Sequence, residues 1–321
     1  MQVFYGLEAL PENFKSAVVT LGVFDGLHRA HMAIIQKVID SAKAAHSYSM
    51  LVTFDPHPRK YLNSSIGDTV LLLTPPEEKV HLLEGTALDA VLFLKTDKTL
   101  MDMGSEEFVG KILVNQIGVK KIIVGYDYHF GKQREGRAEH LVDLGRRYGF
   151  SVEIIAPIQF ENEAVRSSVI RSLLSEGKVK KAANLIGRNY SVSGAVAHGA
   201  GRGMVLDFPT ANIEINNRDK MLPKDGVYLT KVKVNGKRYF GICNIGVRKT
   251  FDEHDRIVEV HILNVPDIDL YGAVVEIDFL ERLRDELKFE TVESLKHQMI
   301  NDEKVCLEKI KEYNLLKGGL T

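Results

Sequence analysis

From residue 16 to about residue 185 the chain alternates short, uniformly apolar runs with stretches whose apolar residues recur every three or four positions. The runs at 17–24 (AVVTLGVF), 48–54 (YSMLVTF), 89–94 (DAVLFL), 119–126 (VKKIIVGY) and 151–157 (SVEIIAP) predict strands. The stretches at 30–45, 75–83, 105–116 and 138–149 predict helices, the first with Ile34, Ile35, Val38 and Ala42 on one face. Strands apolar on both faces and alternating with helices predict a parallel, doubly wound α/β sheet. In such sheets ligands sit beyond the carboxyl ends of the strands.

Near residue 186 the pattern changes. GVYLTKVKV (226–234), Asn235-Gly236 and KRYFGICNIG (237–246) predict a hairpin, because Asn-Gly accepts the positive φ of a tight turn. RIVEVHIL (256–263) and AVVEIDFL (273–280) follow with no helix between them, which predicts a small antiparallel barrel or sandwich. The last predicted helix, 291–313, carries Leu295, Met299, Cys306, Ile310 and Tyr313 along one stripe, so Cys306 reads as a core thiol. The pattern divides the chain into domains at 1–185 and 186–321.

Composition narrows the function classes. The 321 residues suffice for two domains with real cores. Forty-two Lys and Arg against 43 Asp and Glu leave a net charge of −1, and no basic block occurs, so broad electrostatic binding of nucleic acid has no support. Two cysteines, Cys243 and Cys306, exclude a disulfide framework and a four-cysteine zinc cluster and fit a reducing interior. The N-terminus lacks a signal-peptide pattern and nowhere do eighteen apolar residues run together, which predicts a cytoplasmic protein without a membrane partner. Sequence alone does not tell an exposed face from an interface, so the oligomeric state is left open.

Candidate chemistry concentrates where the first strand meets the first helix, in TLGVFDGLHRAH (20–31). Gly22 and Gly26 permit close backbone approach, and the amides of the first helical turn can receive a phosphate. His28 and His31, three residues apart, share a face of that turn and could donate to phosphate oxygens as charge builds on a transferring phosphorus. By spacing alone these residues suit a phosphate site, a metal site or a plain turn.

The stretch GVFDGLHRAH resembles the G-x-F-D-G-x-H-x-G-H signature of the FAD synthetase family, whose first domain is a Rossmann-like nucleotidyltransferase of the HIGH class. Further pieces follow in the family's order: TFDPHP (53–58), LLTPPEEKVHLLE (72–84), VGYDYHFGKQREG (124–136) and VRSSVIRSLLSEGKVKKAANLIGRNY (165–190). FPTAN (208–212), LPKDGVY (222–228), NIGVRKTF (244–251), VEVHIL (258–263), LYG (270–272) and LKFETVESLKHQM (287–299) continue it through a riboflavin kinase-like barrel.

The resemblance implies two reactions: adenylyl transfer from ATP to FMN, giving FAD and pyrophosphate, and ATP-dependent phosphorylation of riboflavin, with Mg2+ as cofactor. It implies that His28 and His31 stabilise the α-phosphate transition state and that Ser168 and Arg171 of SSVIR hold the β- and γ-phosphates. By the same carry-over Gly22, Phe24, Asp25, Gly26 and Asp127 bind ATP, while Phe54, Pro56, Pro58 and Tyr128 shape the flavin pocket. In the second domain it implies Thr210 and Asn212 as metal ligands, Glu259 as the base, and His198, Gly199 and Gly203 as ATP contacts.

This chain departs from the pattern in places. Ala30 stands where the family has glycine and His129 where it has arginine. In the kinase loop Met204 replaces arginine and Asp207 replaces glycine, while Lys249 replaces proline further on. A carboxylate about 4 Å from a phosphate charge would cost roughly 1 to 4 kcal/mol. The alternative to two activities is therefore a monofunctional FMN adenylyltransferase whose barrel no longer catalyses.

Overall fold

The apolar runs of the first half form a six-stranded parallel sheet. Its strands are β1 (Gln2–Tyr5), β2 (Val18–Leu21), β3 (Ser49–Asp55), β4 (Ala90–Lys95), β5 (Lys121–Gly125) and β6 (Ser151–Ile155), in spatial order β1-β4-β3-β2-β5-β6. The computed structural model describes residues 1–63, 70–197, 208–247, 256–264 and 270–316. Contacts divide the chain into two units, Met1–Ser167 and Ser168–Thr321. That division falls earlier than the boundary expected at 185/186.

Helix α1 (Arg29–Ala44) lays the predicted Ile34, Ile35, Val38 and Ala42 against Val18, Leu51, Val91 and Phe93 on one face of the sheet. The other face is covered by the apolar residues of Phe108–Ile117 and by Leu141 and Leu144. The segment expected as a helix over 105–116 is helical, but only Ser105–Glu107 is α-wound and Phe108–Ile117 is a π-helix. Bonding to the fifth residue along aligns side chains four or five apart, and Phe108, Ile112, Leu113 and Ile117 are all buried. Helix α2 (Pro76–Glu84) follows β3, and α3 (Ala138–Tyr148) precedes β6. Strand β1 has no counterpart in the sequence pattern, because it pairs on one side only, with β4, and keeps half its residues exposed. Strand β2 lies between β3 and β5, so the strand order reverses there and the carboxyl ends of β2 and β5 frame the crevice of a doubly wound sheet.

The second unit opens with α4 (Ser167–Ser175) and α5 (Val179–Ile186). Both helices are bound into it: Lys224 N–H donates to Leu174 O at 2.9 Å, and α5 packs on the barrel. Six antiparallel strands then close a barrel: β7 (Tyr190–Ala197), β8 (Ala211–Ile215), β9 (Gly226–Val234), β10 (Lys237–Val247), β11 (Arg256–Ile262) and β12 (Val274–Arg284). Their order is β7-β8-β11-β10-β9-β12, with β12 paired back to β7, which decides for a barrel over a sandwich. Strands β7 and β8 escape the sequence pattern: β7 (YSVSGAVA) is built of small residues with little apolar weight, and β8 spans five residues. Helix α6 (Val292–Leu316) seats Cys306, Ile310 and Tyr313 against Leu229, Leu263 and Leu280. Cys306 is fully buried, and burial pushes its thiol up to about 12, as a core thiol requires. Among the described residues no helix is long and apolar enough to cross a membrane.

Candidate active site

The loop 22–28 leaves β2 and enters α1 under tight constraint. Three of its residues sit in the left-handed region: Phe24 at φ 49°, Gly26 at 97° and Leu27 at 39°. At Gly26 a side chain would also meet Leu73 Cδ1 at 3.0 Å, so the glycine answers both to conformation and to space. Asp25 is buried and accepts from the amides of Leu73 (3.2 Å) and Thr74 (2.9 Å), tying the loop to the segment before α2. Ser167 Oγ donates to the Asp25 carbonyl at 2.7 Å. Phe24 lies in the core, its ring 4.9 Å from that of His31.

His28 is the N-cap of α1, and its Nδ1 accepts from His31 N–H at 3.3 Å. The two rings stack 3.6 Å apart at 16°. The helix thus begins with a stacked imidazole pair, His28 buried and His31 half-buried, beside its first-turn amides at the carboxyl end of β2. An N-cap nitrogen that accepts a backbone N–H is already committed, which makes a metal site the poorer reading of this pair. No group of three or more His, Cys, Asp or Glu suited to a metal occurs among the described residues. Ala30 is the second residue of α1, where it serves as an ordinary helix former.

Across the crevice, Asp127, Tyr128 and His129 follow β5. Asp127 is exposed, and the His129 ring donates through Nδ1 to the Asp127 carbonyl at 2.8 Å. Tyr128 packs on the core, its ring 5.7 Å from that of Phe130, and burial raises its hydroxyl above the ordinary tyrosine range. Phe54, at the end of β3, also packs partly into the core. Pro56, whose bond to Asp55 is cis, is exposed, and Pro58 opens the short helix Pro58–Asn63. Exposed Ser168 and half-buried Arg171 lie on α4, which belongs by contacts to the second unit.

Lys79 of α2 and Thr53 of β3 escape sequence reasoning. Lys79 is 4% exposed, and its ammonium donates to Val23 O at 2.7 Å and to Thr53 Oγ1 at 3.0 Å. Thr53 Oγ1 in turn donates to Val23 O at 3.1 Å.

In the barrel, register sets Asn212 of β8 and Asn244 of β10 directly opposite Glu259 of β11, one on each side. These three half-buried residues alternate along their strands with the buried Ile213, Val258, Val260, Cys243 and Ile245. Alternation along a strand therefore puts them on one face, away from the packed row. His261, on that same strand, donates through Nδ1 to Pro209 O at 2.8 Å and sets its ring edge-on to Phe208, so the segment leading into Thr210 is tethered to β11. Sequence reasoning misses Asn244 and His261 as site residues: the period-two spacing with Glu259 could flag His261, whereas Asn244 comes opposite Glu259 only through the register of the barrel. His198, Gly199 and Gly203 lie outside the described residues, as do Met204, Asp207 and Lys249.

A histidine-capped helix at the switch point of a parallel sheet, joined to an antiparallel barrel carrying a carboxylate between two asparagines, defines a two-unit enzyme that handles nucleotides. Residues 10–169 match the FAD synthetase family and residues 186–310 the riboflavin kinase family. The chain belongs to the family of bifunctional riboflavin kinase/FMN adenylyltransferases. The protein of that description from Buchnera aphidicola subsp. Acyrthosiphon pisum is 32% identical over 94% of this chain and 96% of its own. Those of Listeria monocytogenes and Escherichia coli K12 are 35% and 30% identical, over 89% and 92% of this chain and 90% and 93% of theirs. A crystal structure described as a macrolide-efflux protein from Streptococcus pneumoniae is similar at a TM-score of 0.87 and 28% identity, covering 95% of this chain and 99% of that one. That likeness bears on the fold.

Proposed function

We propose that this chain makes FAD from riboflavin in two ATP-dependent steps, one in each unit. In the barrel the terminal ribityl hydroxyl attacks the γ-phosphorus of ATP, its proton passing to the Glu259 carboxylate as ADP leaves. In the first unit an FMN phosphate oxygen attacks the α-phosphorus, the bond to the β-phosphate oxygen breaks, and pyrophosphate departs. FMN phosphate is already a competent nucleophile, so that step needs positioning and charge stabilisation rather than a base. The stacked His28–His31 pair at the N-terminus of α1 carries the reading, because helix amides and imidazoles together suit an α-phosphate gaining charge. Asp127 is assigned to ATP, and Phe54, Pro56, Pro58 and Tyr128 to the flavin, on their motifs. Gly26 and Asp25, through their packing against Leu73 and Thr74, shape the nucleotide loop from behind.

Thr210 and Asn212 offer neutral oxygen donors, a set suited to a hard cation that keeps phosphates and water among its ligands. Mg2+ held there would offset charge on the transferring phosphate. That relatives matching nearly the whole chain are bifunctional supports two activities over a barrel retained without catalysis. Incubation with riboflavin, ATP and Mg2+, with chromatographic separation, is expected to yield FMN and then FAD. FAD formed only when FMN is supplied would overturn the two-step reading.

A further inference from the structure

The loop that presents His28 and His31 holds two non-glycine residues, Phe24 and Leu27, in left-handed conformations. Such backbone persists only where its surroundings over-determine it. Asp25 is fastened by two amides, and Val23, ahead of the first left-handed residue, by its carbonyl: Lys79 at 2.7 Å and Thr53 at 3.1 Å occupy that oxygen. Lys79 lies under the loop, its ammonium 5.8 Å from the centre of the Phe93 ring. An ammonium so fully buried is costly to keep there even with its two hydrogen bonds.

We infer that Lys79 and Thr53 are positioning residues for adenylyl transfer, holding the Val23 carbonyl so that the strained loop delivers the histidine pair to the α-phosphate in one geometry. This rests on the adenylyl-transfer reading of the first unit. Burial pushes the Lys79 ammonium down to about 8 against the opposing pull of Asp25 and Asp55, which marks the cation as costly to keep. One of its hydrogen bonds goes to the loop carbonyl and the other to the hydroxyl that holds the same carbonyl, so the cost of the cation is spent on the geometry of the loop. Neither residue touches the reacting atoms in this account; they act through Val23.

The test uses the full chain and the variants Lys79→Met, Thr53→Val and Thr53→Ser. FMN adenylylation and riboflavin phosphorylation are measured on the same preparations, with thermal unfolding and amide hydrogen exchange over residues 22–31. Lys79→Met and Thr53→Val are expected to lower kcat for adenylylation at least about tenfold, since misplacing a catalytic group by about 1 Å can cost a hundredfold. Riboflavin phosphorylation stays at its wild-type rate, Thr53→Ser retains adenylylation, and Lys79→Met unfolds at the same temperature as wild type or higher. Exchange across 22–31 quickens in both impaired variants. Wild-type adenylylation in Lys79→Met and Thr53→Val would overturn the inference, as would equal loss in Thr53→Val and Thr53→Ser. The exchange measurement needs no flavin, so unchanged exchange refutes the positioning role even if the wild-type protein forms no FAD, which would refute the reading beneath it.

Discussion

At the scale of single residues the first site is a set of fixed contacts whose loss has separable consequences. Removing the His31 ring takes away one of the two stacked imidazoles, and His31→Ala is expected to slow FMN adenylylation roughly 100- to 1,000-fold, the usual cost of one transition-state donor. Riboflavin phosphorylation by the same preparation should be unchanged. Gly26→Ala forces a side chain into a φ of 97° and against Leu73, which should cost about 1 to 3 kcal/mol by urea unfolding. Lys79 carries a pH signature. Its folded-state pKa, near 8, lies below the unfolded value of 10.5, so between those pH values the unfolded chain binds the extra proton and stability rises with pH. The stability of wild type relative to Lys79→Met should therefore improve by about 3 kcal/mol from pH 7 to pH 11, and a gap constant with pH would contradict it. Some of this was legible in sequence. Spacing marks His28, His31 and the glycines as candidates and the family resemblance gives them a role, whereas Asp25 finds its partners 48 and 49 residues away. Lys79 sits in the polar-looking run PEEKVH and reads as a solvated residue until the fold buries it.

At the scale of elements, the long apolar strands and α1 were legible because their burial follows from a strict period. The elements that escaped are those whose place comes from partners: β1 is held at an edge by β4, and β7 and β8 are made of small or few residues that the closed barrel pairs on both sides. The stripe on α6 was legible too, but not its polar anchor. Asp302 is buried in that helix and grips Arg284 of β12 through bonds of 2.6 to 3.1 Å, with Gln298 donating to the same carboxylate at 2.8 Å. Asp302→Ala strips the partner from a guanidinium only 20% exposed, and should cost the second unit about 2 to 4 kcal/mol, seen as a lower midpoint in thermal unfolding. An unchanged midpoint would mean that α6 is held by its apolar stripe alone.

At the scale of the whole molecule, the proposed function needs two transfer sites, in two contact units, to work in sequence on a flavin that leaves one and enters the other. The histidine pair belongs to Met1–Ser167 and the Asn212–Glu259–Asn244 row to Ser168–Thr321. A variant disabled in one site should then be complemented by a variant disabled in the other, because FMN released by one would be the substrate of the other. The most direct measurement supplies riboflavin and ATP to His31→Ala, to Glu259→Gln, and to an equimolar mixture. His31→Ala alone should accumulate FMN, Glu259→Gln alone should leave riboflavin unconverted, and the mixture should make FAD. A mixture that forms no FAD, or either variant forming FAD from riboflavin at the wild-type rate, would contradict the assignment of the two steps to these two sites.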